Sequence, residues 1–339
     1  MSTNEYNNFT VLRLILSLLV VLGHFITLPS AAPANGLFGY ADFAVDTFFV
    51  VSGYLIFASF DNRPAMGNFY IRRLFRIYPL YITIVVLQAL FMGACAGGII
   101  KHDDELLRYL ALNLMMANFL AHDIGGLLSG LHNSGINPSL WTLKIEFSFY
   151  LMLPFLWYLT QRFGLWVMVF LYVASTVYVA ITLQYGMDNL AKQLPGQIRF
   201  FVVGMALYHY RKMLTFPTLA GIIIASILFV ICQIYGHSLI VLSLYPLCFG
   251  LVMYICVFRL PHIPLPFDIS YGVYLLHGPL IQFSLLFGIF RDTTGFLMLL
   301  LSCVLLLAFA AERYIEQPGI ELGKRLAHGW VTRFGNVGV

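Results

Sequence analysis

Charge is what this sequence lacks most. Its 19 Lys and Arg and 15 Asp and Glu amount to 10% of 339 residues, against roughly 25% in an average soluble domain. A soluble globule is excluded on that ground. A net charge of +4 over the whole length also excludes a disordered or collagenous chain and one that wraps nucleic acid. Cysteine is nearly as scarce. Cys95, Cys232, Cys248, Cys256 and Cys303 all fall in apolar runs, without paired or ligand-like spacing, so neither a disulfide framework nor a metal site is expected. No Gly/Ser/Pro-rich linker, low-complexity tract or internal repeat divides the chain. One domain is expected over 1–339, with a core of about 9–314 and a basic tail at 315–339.

Apolar residues are what it has in excess, at 60% with a mean hydropathy of +0.85. They occur in continuous runs of helix length for a hydrocarbon core of about 30 Å, such as Tyr81 to Ile100 and Ser238 to Phe258. A β-barrel would instead need shorter segments of alternating polarity. The expected fold is therefore all-α and polytopic. Its ten candidate spans are Phe9 to Leu28, Phe38 to Phe60, Ile77 to Ile100, Leu140 to Thr160, Leu165 to Gln184, Gln197 to Tyr210, Thr218 to Tyr235, Ser238 to Phe258, Ile269 to Phe290 and Gly295 to Tyr314.

The stretch Glu105 to Leu120, interrupted by Arg108, Asn113 and Asn118, is short for a crossing and reads as interfacial or re-entrant. The basic residues support that choice. With both termini cytoplasmic and this stretch not crossing, Arg63, Arg72, Arg73, Arg76, Arg162, Arg211, Lys212, Arg259, Arg313, Lys324, Arg325 and Arg333 face inward. Only Lys101, Arg108, Lys192 and Arg291 face outward, which is the positive-inside pattern. The first span is followed by a small-residue Ala32-Pro33-Ala34 site like that of a signal peptide, but Glu5, Arg13 and His24 do not suit one. The amphipathic stretch Ile320 to Trp330 is expected to lie along the inner membrane surface.

Ionisable residues inside spans are costly, by a few kcal/mol on insertion scales, and are candidates for function. Arg13 and His24 share one face of the first helix, separated by about 16 Å of helix rise. Asp46 in the second span has a depth comparable to that of His24, where a carboxylate could orient the imidazole as a general base or form a purely structural pair. Glu146 is expected in the outer half of its span, a third catalytic candidate or an alternative base. Arg72, Arg73 and Arg76 stand at the cytoplasmic mouth of the third span. Arginine forks suit phosphate, and equally suit lipid headgroups as simple anchors. His277 is either a flank of the same channel or a structural hydrogen-bonding group, while Trp141 and Tyr150, with Phe149, lie where a sugar face could stack.

Together these residues place a phosphate-binding end opposite a His/Asp/Glu cluster. A donor with phosphates at one end and a reactive group at the other would fit, and acyl-coenzyme A has that shape. A proton-coupled secondary transporter, with His24, Asp46 and Glu146 as relay, is the competing reading. It is weakened because these charges lack counterparts in the second half of the chain. A flippase or scaffold in polysaccharide export is a third.

Six motifs then appear in order. They are Arg13 with His24, Val45-Asp46-Thr47-Phe48-Phe49-Val50-Val51-Ser52-Gly53, Arg73 and Arg76 before Tyr78-Pro79-Leu80-Tyr81, Trp141-Thr142-Leu143 through Glu146 to Tyr150, Ser270-Tyr271 through Tyr274 to His277, and Tyr314-Ile315-Glu316-Gln317-Pro318. In these the chain resembles the acyltransferase-3 family of integral membrane acyltransferases. The resemblance implies transfer of an acyl group, often acetyl, from cytoplasmic acyl-CoA to a hydroxyl of a surface or exported carbohydrate, at a bacterial cytoplasmic membrane. It implies His24, with Arg13, as essential for transfer, and Arg73 with Arg76 as a second essential pair. No metal or nucleic acid is implied. Lys144 departs from the family's usual small residue, and the chain resembles members that stand alone, without an extracytoplasmic hydrolase-like domain.

Overall fold

In the computed structural model, residues 8–30, 39–95, 103–213, 217–235 and 238–334 are described, and these are helical, with no strand among them. Ala32, Pro33, Ala34 and Lys101 lie outside them, as do the side chains of Cys232 and Arg333. The helices are α1 Phe9–Thr27, α2 Ala41–Asp61, α3 Met66–Cys95, α4 Asp103–Leu114, α5 Leu140–Phe163, α6 Leu165–Gln184, α7 Asp188–Ala191, α8 Leu194–His209, α9 Thr218–Tyr235, α10 Leu239–Phe258, α11 Ser270–Leu286, α12 Thr294–Ala311 and α13 Gln317–Phe334. Among the described residues, six helical stretches are long and apolar enough to cross a membrane: α1, α2, α3, α6, α10 and Thr294–Gly329. The protein is thus a helical membrane protein. The other four expected spans form helices α5, α8, α9 and α11 at the expected places, shorter or more polar than those six.

Boundaries differ where local chemistry intervenes. The third helix starts at Met66 rather than Ile77, so Arg72, Arg73 and Arg76 are helical. α11 stops at Leu286 because Gly288 takes a φ of 64° that caps its end. Glu105 to Leu120 gives the short α4 and one turn at Asn118–Leu120. The chain then runs to α5 through a loop whose Ile124, Leu128 and Ile136 are fully buried.

Pro79, Pro154, Pro246 and Pro279 lie inside helices and each removes the donor for the carbonyl four residues earlier; at Pro79, Pro246 and Pro279 the freed carbonyl meets another element. Pro246 frees Leu242, whose oxygen accepts from Arg199 Nη1 of α8 at 3.0 Å. Pro279 frees Leu275, whose oxygen accepts from Asn137 Nδ2 of the loop before α5 at 3.0 Å. Pro79 frees Phe75, and Gly319 of α13 packs there so closely that a Cβ would come within 3.1 Å of that oxygen. The tail helix therefore does more than rest on lipid: Gly319 and Gly323 seat it on Phe75 and Pro79 of α3. A five-residue π turn, Glu312–Glu316, joins α12 to α13 and turns both of its carboxylates inward.

α2 and α8 are in backbone contact. A Cβ on Gly53 would lie 2.1 Å from the Phe201 carbonyl oxygen, and one on Gly204 would lie 2.1 Å from that of Val50. Small residues permit such contact between helices in lipid. It leaves the opposite face of α2 to α1 and α5, where the polar residues gather.

Candidate active site

The cationic end is built from three helices and one loop residue. Arg13 of α1 and Arg76 of α3 both donate to Asp268 Oδ2, just before α11, the latter at 3.0 Å. The Ser270 hydroxyl donates to the other oxygen at 2.6 Å. Burial pushes the Asp268 carboxyl upward, but the two guanidinium groups and the Ser270 bond outweigh it and hold the group below its ordinary range. Arg73 forms no salt bridge among the described residues. Its guanidinium lies over the rings of Phe69 and Tyr150, at 5.7 and 5.6 Å.

Glu146 belongs to this end. Its Oε1 accepts from Tyr150 at 2.7 Å and from Ser52 at 3.1 Å, and it lines the same cavity as Arg13, Arg73 and Arg76. The expectation of an outer-half position assumed that α5 starts at the membrane surface. The loop before it instead carries Ser139 inward to the level of His277, so six residues into α5 is already deep.

Between α1, α2, α3, α5 and α11 lies a cavity of about 110 Å³. Arg13, Arg73, Arg76, Glu146, Tyr150 and Tyr271 line it together with Ser52, Thr142, Ser270 and Tyr274. Its wall on α2 runs from Val45 to Ile56, about 16 Å of helix rise. Arg72 is not part of the lining, and its buried Nε has no hydrogen-bond partner among the described residues.

Beyond Tyr274 stands a pair of histidines. His24 Nδ1 and His277 Nε2 are 2.8 Å apart, and His277 Nδ1 is 3.0 Å from the Val273 carbonyl oxygen. Ser139 Oγ is 3.4 Å from His277 Nε2. Tyr274 joins this pair to the cavity. Its ring meets that of His277 edge-on at 6.1 Å, and its hydroxyl is 2.7 Å from that of Thr142. His277 is fully buried.

Asp46 is elsewhere. The nitrogen hydrogen-bonded to His24 belongs to His277, and Asp46 forms neither a hydrogen bond nor an ion pair with His24 among the described residues. The three catalytic candidates are thus separated: His24 pairs with His277, Glu146 lies with the arginines, and Asp46 joins neither group. Trp141 packs edge-on against Phe49. Phe149 is fully buried against Phe201, its ring centroid 4.0 Å away, and is closed to a sugar. Lys144 bonds Gln193 Oε1 at 2.8 Å rather than Glu146 and lies over Phe119.

Sequence reasoning missed Asp268, Asn137 and Arg199. Each lies in or beside a stretch read for its apolar content. The signal for Asn137 was the proline in α11, which announces a carbonyl in want of a donor.

The described helices thus bring together a partly buried arginine–carboxylate end, a cavity and, past Tyr274, a histidine pair. A family model described as an acyltransferase domain matches residues 6–312, and the chain belongs to the acyltransferase-3 family. It is 28% identical over 180 residues to nodulation protein 10 of Rhizobium leguminosarum bv. viciae, covering 48% of this chain and 47% of that protein. It is 30% identical over 154 residues to an O-acetyl transferase of Shigella phage Sf6, covering 44% of this chain and 45% of that one. An uncharacterized Haemophilus influenzae protein is 32% identical over 127 residues, 35% of this chain and 50% of its own. The chain spans about half the length of these curated relatives. No solved structure matches it.

Proposed function

We propose that the protein is an O-acyltransferase of a bacterial cytoplasmic membrane, moving an acyl group, with acetyl the first candidate, from cytoplasmic acyl-CoA to a carbohydrate hydroxyl. The observation that supports this reading is a cavity with an arginine cluster along its lining and, past Tyr274, a histidine pair. Membership of the family and a relative named O-acetyl transferase support it.

In this scheme Arg73, free of any salt bridge among the described residues, takes a donor phosphate, with Arg76 and Arg13 beside it on the Asp268 carboxylate. Arg72 stands at the mouth as an outer contact. The arm of the donor follows the apolar strip of α2, and the thioester comes to rest near His24. The acceptor oxygen attacks the thioester carbonyl, its proton passes to His24, the C–S bond breaks, and the departing thiolate receives that proton as the free thiol. Glu146, bonded to Tyr150 and Ser52, is a donor-side group here rather than a second base, and Trp141 is left as the stacking surface for the sugar. Ten spans with both termini cytoplasmic complete the proposal.

Purified protein incubated with labelled acetyl-CoA and surface glycans is expected to transfer label, and His24→Ala to abolish transfer while inserting normally. Transfer at near-normal rate by that variant removes the proposed base. Failure of every acyl-CoA to label any glycan removes the reaction.

A further inference from the structure

We propose that His277 is a positioning residue that fixes the tautomer of His24, so that the Nε2 lone pair of His24 is the one that meets the acceptor hydroxyl. The inference rests on the acyl-transfer reading for its catalytic consequence, and on geometry alone for the tautomer.

The assignment runs from a group that cannot change its role. The Val273 carbonyl oxygen can only accept, and it lies 3.0 Å from His277 Nδ1, so that nitrogen carries a hydrogen and donates. In a neutral imidazole the other nitrogen is then an acceptor. His277 Nε2 faces His24 Nδ1 at 2.8 Å, and two lone pairs at that distance would repel. His24 Nδ1 therefore carries the hydrogen and donates to His277, leaving Nε2 of His24 unprotonated. The Ser139 hydroxyl, 3.4 Å from the same His277 nitrogen, fits the pattern as a weaker second donor.

The surroundings hold His277 in this role. It has no exposed surface. Its helix is pinned one turn before Pro279 by Asn137, which bonds the Leu275 carbonyl, and Gly278 has no Cβ to obstruct that loop: a Cβ there would lie 2.9 Å from Asn137 Oδ1. No carboxylate hydrogen-bonds either imidazole among the described residues. The arrangement is that of a base oriented by a third group, with a neutral histidine anchored on a backbone carbonyl in place of the usual carboxylate.

Glutamine at 277 can place an acceptor oxygen near the position of Nε2, whereas leucine cannot. His277→Leu is expected to lower kcat by roughly 100-fold, the range of a general base that is lost or misdirected. KM for acetyl-CoA should stay within about twofold, because the arginines are untouched; His277→Gln should retain most of kcat. Equal losses in both variants, or a change confined to KM, would overturn the positioning role. Should the leucine variant not fold, ¹⁵N spectra of histidine-labelled wild-type protein decide the matter, with the His24 signals assigned by their disappearance in His24→Ala. Hydrogen on Nδ1 is expected, and hydrogen on Nε2 sinks the inference. If the wild type transfers no label while its His24 is the Nδ1–H tautomer, the acyl-transfer reading fails and the tautomer assignment stands.

Discussion

At the scale of single residues, the arginine cluster is organised by an acid that the apolar reading of the sequence passed over. Arg13, Arg73 and Arg76 were legible because each is a cation bordering or inside an apolar run and has no place there without a partner. Asp268 sits just ahead of α11, outside any run, where one acidic residue is unremarkable until the fold brings two guanidinium groups to the same oxygen. Its carboxyl is held below the ordinary range, so folding is favoured by its ionised form. That contribution is complete above the unfolded carboxylate range and is lost as pH falls through the lower folded value. Thermal stability of the detergent-solubilised protein is therefore expected to fall between about pH 5 and pH 2 with an Asp268 component that Asp268→Asn lacks. At neutral pH the same substitution should cost roughly 3 kcal/mol or somewhat less, because it strands two cations at a site that is only partly shielded from solvent. Identical pH curves for the two proteins would show that Asp268 is not the group that couples protonation to stability.

At the scale of elements, the helices were legible and their joints were not. Continuous apolar runs announce a helix, and α6 matches its expected bounds at both ends. What a run does not announce is how deep the next helix begins. The loop between α4 and α5 carries few charges and several polar amides, and it folds inward because Asn137 supplies the donor that Pro279 withholds from Leu275. That displacement moves Glu146 from the expected company of His24 to that of the arginines. The pairing of Asn137 with Pro279 can be tested as a coupling. Asn137→Ala alone leaves a buried carbonyl without its donor, at about 1–3 kcal/mol, and should lower the melting temperature. Pro279→Ala restores a backbone N–H to the same carbonyl, so the double variant should recover part of the loss, a coupling of roughly 0.5–3 kcal/mol. Strictly additive destabilisation of the two changes would mean that Asn137 holds the loop by other bonds.

At the scale of the whole molecule, contacts between distant segments bear on how many times the chain crosses. Asn8, at the start of α1, bonds the carbonyls of Cys256 and Pro261 at the end of α10. Arg13 and Arg76 meet Asp268 ahead of α11, and α13 packs on α3 at Phe75 and Pro79. The starts of α1, α3 and α11 and the ends of α10 and α12 therefore lie at one end of the helix bundle. The proposed ten crossings would put all of them on one face of the membrane. An eleventh at α4 would carry the junction of α10 and α11 to the face opposite the start of α1 and break the Asn8 and Asp268 contacts together. The two alternatives differ at exposed positions, which makes them separable in cells. In a background without native cysteines, single cysteines at Arg63, Arg162 and Lys212 should react with a membrane-impermeant maleimide only after permeabilisation, and those at Asp188 and Arg291 in intact cells. Labelling at 162 and 212 from outside, with 63 still protected, would place α4 across the bilayer. The shared face required by Asn8 and Asp268 would then be wrong, and with it the arrangement that gathers the arginines around one carboxylate.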